Sequence, residues 1–445
     1  MSHGWGVRRE NSHEGATEMR HQPRHWLAVA SAITTLGLVL AACGGSARSD
    51  TAGGPAATPG ITATSITIGT HQPLTGVASP GYDEIAPASN AVFADVNAHG
   101  GIHGRKIRYL IEDDAYNPAQ TKAVVDKLVL QDHVFAIFNG LGTPTHVAVV
   151  PFLNANKVPD LFVSSGCDCW NDPSKYPYTS GYSTDYTVEG KVEGKYVADH
   201  YKGQGVGYLA QSDEFGQDGI MGLDQSIPQS TVVSRQTYDV TDPTANVGPQ
   251  MQALQSAGAQ VVVLYAIPAF VAHALQAAAK VNYHPHFVVS SVGASNPENL
   301  SHLLGDPSLL DGLATDYYLP SVSDTADPWI KLFRRIHDRY LTSVPFDANV
   351  EYGMAVGYTF VRLMEQAGQN PTRDSVMKAL QMADLAGPGL SPLGYSSTSN
   401  QGYTGVQMGT IHGGKLALSG PVFTSTDNGP VKASKPVMVA PPKNL

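Results

Sequence analysis

The sequence predicts an α/β protein of two lobes, each of them a doubly wound parallel sheet covered by helices. From Thr64 onward, short apolar strands alternate with longer amphipathic helices, which is the pattern of parallel sheets with helices on both faces. A second series of the same kind begins near Gly205. With 445 residues, 42% of them hydrophobic and 15% charged, the chain has an ordinary globular composition and is long enough for one large or two medium domains, each with a core of its own.

The first series follows the order β-α-β-α-β-α-β. Ile85, Ala88 and Val92 recur at the spacing of one helix face. Asn117 and Pro118 predict the N-cap and the first turn of the following helix. The expected elements are strands at 65–69, 107–112, 134–138 and 159–163, and helices at 85–97, from 117 onward and at 144–154.

The second series continues the alternation and ends in a hairpin. Gly413 and Gly414 supply the turn of that hairpin. No short internal repeat is visible, which excludes solenoids and propellers. The expected elements are strands at 206–210, 231–238, 261–265, 287–291 and 313–318, helices at 216–227, 247–257, 269–281, 329–340, 350–367 and 373–383, and the hairpin at 407–416.

The N-terminal segment has the organisation of an export signal. A basic head at 19–24 precedes an uncharged apolar stretch at 26–40, which is shorter than the roughly 20 residues of a spanning helix. The stretch ends in Leu-Ala-Ala-Cys, which resembles the lipobox of bacterial lipoproteins. The resemblance implies a signal peptide at 19–42, with Cys43 becoming the lipid-modified first residue. We expect residues 1–18 to be a non-native extension and Met19 to be the true start.

Residues 43–63 are rich in Gly, Ala, Ser, Thr and Pro, so we expect a flexible tether between the anchor and the lobes. No other apolar run approaches membrane-spanning length. The sequence thus predicts an exported protein that is attached to the outer face of the bacterial cell membrane by its lipid and does not cross it.

Charge and cysteine content limit the partners and cofactors that the chain can have. The net charge of −10, with no Lys/Arg-rich run, argues against a nucleic-acid partner. Cys167 and Cys169 are one residue apart, which leaves open either a disulfide in a small ring or two thiols. Further zinc ligands are not evident, so we expect neither a metal site nor a cofactor.

Recognisable catalytic motifs are missing as well. The chain contains no Gly-x-Ser-x-Gly elbow and no His-Glu-x-x-His zinc motif. His99 and His103 are four residues apart, but Gly100-Gly101 between them prevents a shared helical face. We therefore expect no enzyme and no catalytic residue, although a triad assembled in space would leave no local signature in the sequence.

The stretch Asn97-Ala98-His99-Gly100-Gly101-Ile102-His103-Gly104-Arg105-Lys106-Ile107 resembles a signature of the branched-chain amino acid (Leu/Ile/Val) family of ABC-transporter substrate-binding proteins. The pattern is N-x-x-G-G-I-x-G-R-x-I/L. Residues that resemble the same family run from about Thr64 to Leu416. They include Pro73-Leu74-Thr75-Gly76, Glu112 to Pro118, Tyr176-Pro177-Tyr178, Tyr186 to Gly190 and Asp213 to Gly216.

The resemblance implies a periplasmic binding protein type I fold, in which three crossings join the two lobes. By matching, these crossings are expected near 180–183, 290–293 and 389–395. Lobe one is then 64–181 plus 292–390, lobe two is 182–291 plus 391–416, and 417–445 is a C-terminal tail. The implied protein is a monomer that captures a small solute, such as an amino acid, an amide or a small carboxylate, and delivers it to an ABC permease and its ATPase.

The candidate site lies at the carboxyl ends of the strands, where open parallel sheets bind small molecules. In the loop 139–144, Thr143 is placed to cap a helix whose free N–H groups would hold a carboxylate, although capping without a ligand explains the loop equally well. The candidate ligand-binding residues are Leu141, Gly142, Thr143, Ser164, Ser165, Gly166, Tyr186, Phe215, Tyr265 and Phe270.

Several of these residues also have a purely structural interpretation. Ser164 and Ser165 fit an ordinary turn, and Phe215 fits a lobe core. In amino-acid-binding relatives, an acidic side chain near 265–270 pairs with the ammonium of the ligand. Phe270 occupies that position here, and a buried ammonium without a counter-charge is costly. The sequence therefore leaves the ligand open among amino acids, carboxylates, amides and uncharged polar solutes.

Two other functions remain as alternatives. A sensor lipoprotein with the same cleft would pass its closed form to a membrane receptor, and the sequence does not separate it from a transport protein. A surface-anchored hydrolase is the third alternative, for which Asp113 and Asp114 are adjacent acids. Neighbouring residues at a strand end point in opposite directions, which argues against a joint catalytic role.

Overall fold

The computed structural model describes residues 58–242, 246–383 and 385–442. The predicted signal peptide at 19–42, Cys43 and most of the tether lie outside the described residues. Among the helices that are described, none combines the length and the apolar character needed to cross a membrane.

The described part of the chain contains two sheets. The first has the strand order β2-β1-β3-β4-β5, and the second has the order β13-β12-β11-β10-β9-β8-β6-β7. The strands are β1 Ser65–Gln72, β2 Lys106–Asp113, β3 Ile137–Phe138, β4 Asp160–Val163, β5 Thr179–Gly181, β6 Val206–Gln211, β7 Val232–Tyr238, β8 Val261–Tyr265, β9 His286–Val289, β10 Ala314–Tyr317, β11 Gly405–His412, β12 Lys415–Thr424 and β13 Lys432–Ser434.

Helices connect these strands. They are α1 Ser79–Tyr82, α2 Ile85–Ala98, α3 Pro118–Asp126, α4 Thr143–Val147, α5 Val150–Ala155, α6 Tyr186–His200, α7 Glu214–Ser226, α8 Gly248–Ser256, α9 Pro268–Lys280, α10 Ser291–Ala294, α11 Pro297–Leu304, α12 Pro328–Tyr340, α13 Ala348–Gln366 and α14 Arg373–Met382. A π-helical turn, Lys127–Gln131, continues α3.

The predicted α/β class with parallel sheets in two lobes is confirmed. All strand pairs of the first sheet are parallel. Its core contains a cluster of phenylalanine rings, in which Phe138 of β3 lies 5.5 Å from Phe93 of α2 and 5.1 Å from Phe360 of α13, measured between ring centroids. Since Phe360 comes from the C-terminal third of the chain, lobe one is built from two separate stretches of sequence.

Local sequence signals account for several element boundaries. The Asn117 side chain accepts hydrogen bonds from the N–H groups of Ala119 and Gln120, which confirms the predicted N-cap of α3. Gly101 follows α2 with a φ of 73° and donates to the Val96 carbonyl, as expected of a left-handed helix ending. The single helix expected at 144–154 is wrong, because the chain forms α4 and α5 there.

The second sheet has eight strands among the described residues. Strands β7, β6, β8, β9 and β10 are parallel, whereas β11 and β12 run antiparallel to their neighbours. The assignment of all of 292–390 to lobe one is therefore wrong, because Ala314 of β10 pairs with Val288 of β9 in the second sheet. Helices α12 and α13 do pack on α2 in lobe one.

The second crossing consequently follows β10 and does not lie near 290–293. Tyr182, Tyr318 and Tyr403 come one from each of the three crossings. The Tyr182 and Tyr403 hydroxyls are 3.2 Å apart, and the Tyr318 ring stacks on the Tyr403 ring at 5.3 Å between centroids. The hinge is thus a packed cluster of tyrosine rings, which fixes the three backbone segments side by side.

The prediction of a C-terminal tail at 417–445 is wrong for its described part, 417–442, which belongs to the fold. The hairpin is confirmed, with His412 opposite Lys415, but β12 continues to Thr424 and β13 pairs with it. Beyond β13 the chain reaches lobe one, where the Val437 N–H donates to the Leu390 carbonyl and the Trp329 Nε1–H donates to the Val439 carbonyl. We call residues 435–442 the C-terminal strap, because they link the second sheet to lobe one.

Candidate functional site

A cleft lies between the two sheets, beside the hinge, and its open space, which includes part of the surrounding solvent, is about 680 Å³. Both lobes and the hinge contribute to its walls. The lining residues are Tyr82, Ile85, Tyr116, Leu141, Gly142, Thr143, Ser164, Ser183, Tyr186, Phe215, Ile267, Ser291, Val292, Ser295, Tyr317, Tyr318, Asn349 and Tyr352.

The loop between β3 and α4 forms one wall, because parallel strands bring their carboxyl ends to one edge of the sheet. Leu141 pairs with Ser164 of the neighbouring segment. The prediction that Thr143 caps the helix is wrong. Gly142, with a φ of 102°, occupies the N-cap, and Thr143 is the first helical residue. The Thr143 hydroxyl instead lies 2.7 Å from the Ser165 hydroxyl.

Six of the predicted site residues line the cleft together: Leu141, Gly142, Thr143, Ser164, Tyr186 and Phe215. Two others lie directly behind it. Ser165 is buried against Thr143, and the Gly166 carbonyl accepts the N–H of Tyr186, the first residue of α6. Ser165 and Gly166 therefore position cleft residues without lining the cleft.

The other two predicted site residues, Tyr265 and Phe270, do not line the cleft. Tyr265 ends β8 with its ring in the core of lobe two, 5.5 Å from the Phe215 ring. Phe270 is buried in α9, where it stacks on Tyr238 at 4.1 Å. The residue that this loop places in the cleft is Ile267, so the loop still provides no carboxylate.

Sequence reasoning missed most of the aromatic lining. Tyr116 belongs to a turn after β2, with a φ of 58° that the sequence does not announce. Tyr352 lies in α13, a helix whose spacing indicates only core packing. Tyr317 and Tyr318 follow from the carboxyl-end rule once β10 is placed in the second sheet. The position of Tyr317 and Tyr318 at the end of a predicted strand is the sequence signal that could have identified them as cleft residues.

None of the described residues that line the cleft is Asp, Glu, Lys, Arg or His. Polarity comes from hydroxyls and one amide. The Tyr352 hydroxyl donates to Ser164 Oγ at 2.9 Å and accepts from the Asn139 side chain at 2.9 Å. Burial raises the pKa of Tyr82, Tyr116 and Tyr318 well above the ordinary tyrosine value, so these hydroxyls stay neutral.

A chain of four buried side chains supports the cleft loop from below. Asp114 Oδ2 lies 2.8 Å from His71 Nδ1, His71 Nε2 lies 3.0 Å from His146 Nδ1, and His146 Nε2 lies 2.8 Å from Asp160 Oδ2. All four side chains are fully buried. Burial lowers the pKa of His71, although Asp114 opposes that shift. A Cβ on Gly140 would lie 2.4 Å from His71 Nε2, so the loop packs directly on the histidine pair.

The lobes touch across the cleft. The Tyr82 hydroxyl of lobe one donates to the Val292 carbonyl of lobe two at 2.8 Å. In the other direction, the Tyr317 hydroxyl of β10 donates to the Ala348 carbonyl of α13 at 3.2 Å. These two hydrogen bonds join the walls of the cleft.

Metal-ligating side chains gather only outside the cleft among the described residues. One group is Glu189, Glu193 and Asp316, and another is Asp168, Asp185 and Asp427. Cys167 and Cys169, which lie near Asp218, form a disulfide and so are not available as thiolate ligands. None of these groups lines the cleft.

Two α/β lobes, three crossings between them and an uncharged cleft beside the hinge define a cleft-type solute-binding protein. The model of the periplasmic binding protein family matches residues 65–415. The chain belongs to the periplasmic binding protein family. Members of this family bind solutes outside the cytoplasm.

Individual relatives are more distant. An amino acid binding protein from Pseudomonas aeruginosa is 36% identical over 72 residues, which cover 16% of this chain and 19% of that protein. The match therefore spans about a fifth of that relative.

Among solved structures, a fatty acid ABC transporter substrate-binding protein from Thermomonospora curvata is similar, with a TM-score of 0.73 and 21% identity over 85% of this chain and 97% of the other. A substrate-binding periplasmic protein from Ralstonia solanacearum has a TM-score of 0.72 and 21% identity, and the match covers 80% of this chain and 100% of the other. A branched-chain amino acid ABC transporter protein from Thermus thermophilus with bound valine has a TM-score of 0.70 and 18% identity, and the match covers 82% of this chain and 97% of the other. At these identities the similarity shows the fold alone.

Proposed function

We propose that this protein is the extracytoplasmic solute-binding component of an ABC importer, anchored by a lipid on Cys43, and that its solute has an apolar body and no ammonium group. The uncharged lining of the cleft carries the second part of the proposal. A buried ammonium without a carboxylate partner costs several kcal/mol, whereas neutral hydroxyls and N–H groups hold a carboxylate or an amide well.

The aromatic walls support the same class of solute. Tyr82, Tyr116, Tyr186, Phe215 and Tyr352 present rings to the cleft, and Ile267 adds an aliphatic surface. Such a lining stabilises an apolar chain or ring by burial. At the other end of the solute, Thr143 at the start of α4, Ser164 and Ser291 offer hydrogen-bond donors. A hydrophobic carboxylate satisfies both halves of the cleft.

The similar structures include transport proteins for fatty acids and for branched-chain amino acids. The structure from Thermomonospora curvata belongs to a fatty acid transporter, and the one from Thermus thermophilus holds valine. The lobes of such a protein close on the solute by bending at the hinge, and the permease then selects the closed form through its different contacts.

Matched pairs of ligands test the proposal with the purified protein. Valine and 3-methylbutanoate share a carbon skeleton and differ in the ammonium, as do isoleucine and 3-methylpentanoate, and phenylalanine and 3-phenylpropanoate. Thermal unfolding is measured with each ligand, because a ligand at about 1,000 times its dissociation constant stabilises by roughly 4 kcal/mol. We expect shifts with deaminated members only.

The outcomes separate the two parts of the proposal. A shift with valine or isoleucine alone would keep solute capture and refute the absence of an ammonium partner. No shift with any carboxylate, amide or amino acid in a broad panel would refute solute capture itself. The Thr143→Val variant tests whether binding takes place in the cleft. It removes a hydrogen-bond donor from the cleft wall and should weaken binding of every carboxylate.

A further inference from the structure

Helix α12 combines a buried apolar face with an exposed basic one. Leu332, Phe333 and Ile336 pack inward, whereas the exposed side of the helix carries four cations, in a chain with a net charge of −10. The apolar residues interrupt the cations in the sequence, and only the turns of the helix bring them to one side. We call these four cations the basic face: Lys331, Arg334, Arg335 and Arg339.

Little within the protein neutralises the basic face. Within the described part of the chain, none of its four cations forms an ion pair with an acid. Lys331 Nζ donates to a backbone carbonyl at 2.9 Å, and the Arg334 guanidinium lies 4.5 Å from the centre of the Phe346 ring. The acid of α12 is Asp338, whose Oδ1 lies 2.9 Å from His337 Nδ1. The positive charge of this face is therefore open to an anion outside the protein.

The basic face borders a groove on the surface of lobe one. The groove is lined by Lys331, Arg334 and Arg335, together with Thr325, Ile330 and Asp338. A groove with three cations fits a phosphate group, because arginine donates in pairs to phosphate oxygens and lysine adds a point charge. No described residue lines both this groove and the cleft, so the two sites are separate.

The chain enters the described structure on the same lobe. Ile61 pairs with Ile66 of β1, and the Thr67 N–H donates to the Gly60 carbonyl. Residues 43–57, which precede the described part and begin at the predicted lipid anchor, can span at most about 50 Å. The anchor would therefore hold lobe one within this distance of the membrane, where weak contacts with lipid are strengthened by proximity.

We propose that the basic face of α12 is a docking surface for the anionic lipid headgroups of the membrane that holds the anchor. The net charge of the protein repels such a membrane, whereas four cations on one helix attract it locally. This attraction falls off within a Debye length of about 8–10 Å, so the basic face turns towards the lipid. The inference rests on the lipid anchor of the proposed function, and it does not depend on which solute binds.

Chemical footprinting of the lipid-anchored protein tests the docking surface. The protein is reconstituted on vesicles of phosphatidylcholine, with or without about one third phosphatidylglycerol, and exposed lysines are modified with an amine-reactive reagent. Mass spectrometry measures the rate at each lysine. On anionic vesicles we expect Lys331 to react about threefold more slowly, whereas Lys122, exposed on α3 of the same lobe, keeps its rate. High salt should remove the protection.

A charge reversal locates the surface. Arg335 is exposed and has no hydrogen bond or ion pair among the described residues, so Arg335→Glu removes no described contact of this kind. The variant should abolish the protection of Lys331 on anionic vesicles, because the new carboxylate repels the headgroups. Lys122→Glu is the matched control. It changes the net charge by the same amount on another helix of lobe one, and the protection of Lys331 should remain.

Neutral vesicles report the anchor separately from the basic face. A protein that does not stay on them lacks the anchor, and anionic vesicles still test the basic face. Equal reaction of Lys331 on both kinds of vesicle would overturn the docking surface and leave solute capture intact. Protection of Lys122 equal to that of Lys331, or protection that persists in Arg335→Glu, would also overturn it. Protection confined to native membranes that retain their proteins would assign the basic face to a protein partner instead.

Discussion

Two glycines in the loop after β3 are required by the side chains that lie against them. Gly140 packs on the His71–His146 pair, and Gly142 packs on Tyr116. A Cβ on Gly142 would lie 2.4 Å from a Tyr116 ring carbon and 2.6 Å from Thr145 Oγ1, and its φ of 102° is itself unfavourable for other residues. Two separate costs, steric overlap and backbone strain, therefore meet at one residue.

Replacing Gly142 with Ala should destabilise the protein by about 3 kcal/mol and weaken binding of any solute, because the Cβ displaces Tyr116 from the cleft. Gly104→Ala is the matched control. Gly104 also has a positive φ, but a Cβ there meets nothing within 4 Å, so backbone strain alone should cost about 1–2 kcal/mol. Urea unfolding of both variants measures the difference. Equal losses would show that Tyr116 does not restrict the loop.

At the residue scale, the sequence predicts best where a side chain acts next to its own position. Asn117 is assigned correctly because a helix cap is a local interaction. Tyr352 is not found, because only the fold brings a residue of α13 within 2.9 Å of Ser164 Oγ. Phe270 is misplaced for the same reason, since the turn after β8 directs Ile267 into the cleft.

At the scale of elements, most strands and helices follow from periodicity, but their sheet partners do not. The strand expected at 313–318 exists as β10, yet its pairing with β9 and β11 depends on contacts far apart in sequence. The C-terminal strap was unpredictable for a related reason. Its four apolar residues, 437–440, do not indicate which part of the fold they meet, and its backbone forms hydrogen bonds with Leu390 and with the Trp329 side chain.

Ending the chain at Ser434 should lower the free energy of unfolding by about 2 kcal/mol, because two hydrogen bonds to lobe one are lost and the Trp329 Nε1–H is left without its acceptor. Met438→Ala, which changes a side chain 75% exposed, is the control and should change little. Urea unfolding is the measurement. If the shortened chain is as stable as the full chain, the strap does not contribute to joining the lobes.

At the scale of the whole molecule, raised carboxyl pKa values shift the pH range of stability. Burial, with a contribution from Asp168, raises the pKa of Asp218 to about 7. Burial, with contributions from Asp347 and Asp83, raises that of Glu84 to about 8. Between about pH 4 and these values the folded chain binds more protons than the unfolded chain, so stability is lost as the pH rises through 7 to 8.

The Tm should therefore fall between pH 5 and pH 8.5, and Asp218→Asn should reduce the fall, because its neutral amide stands for the protonated acid. The lowered pKa of His71 acts in the opposite direction near pH 6.5, so the difference between variant and wild type is the informative quantity. Thermal unfolding of both proteins across this pH range measures the difference in Tm. Parallel pH profiles for the two proteins would contradict the role of Asp218.

The buried chain Asp114–His71–His146–Asp160 has a spectroscopic consequence. All three of its contacts are hydrogen bonds when one proton lies between each neighbouring pair of side chains. Neither ring reaches solvent, so these protons exchange with water only when the loop above them lifts. Their NMR signals should therefore persist in water, and the rate at which they exchange reports how often that wall of the cleft opens.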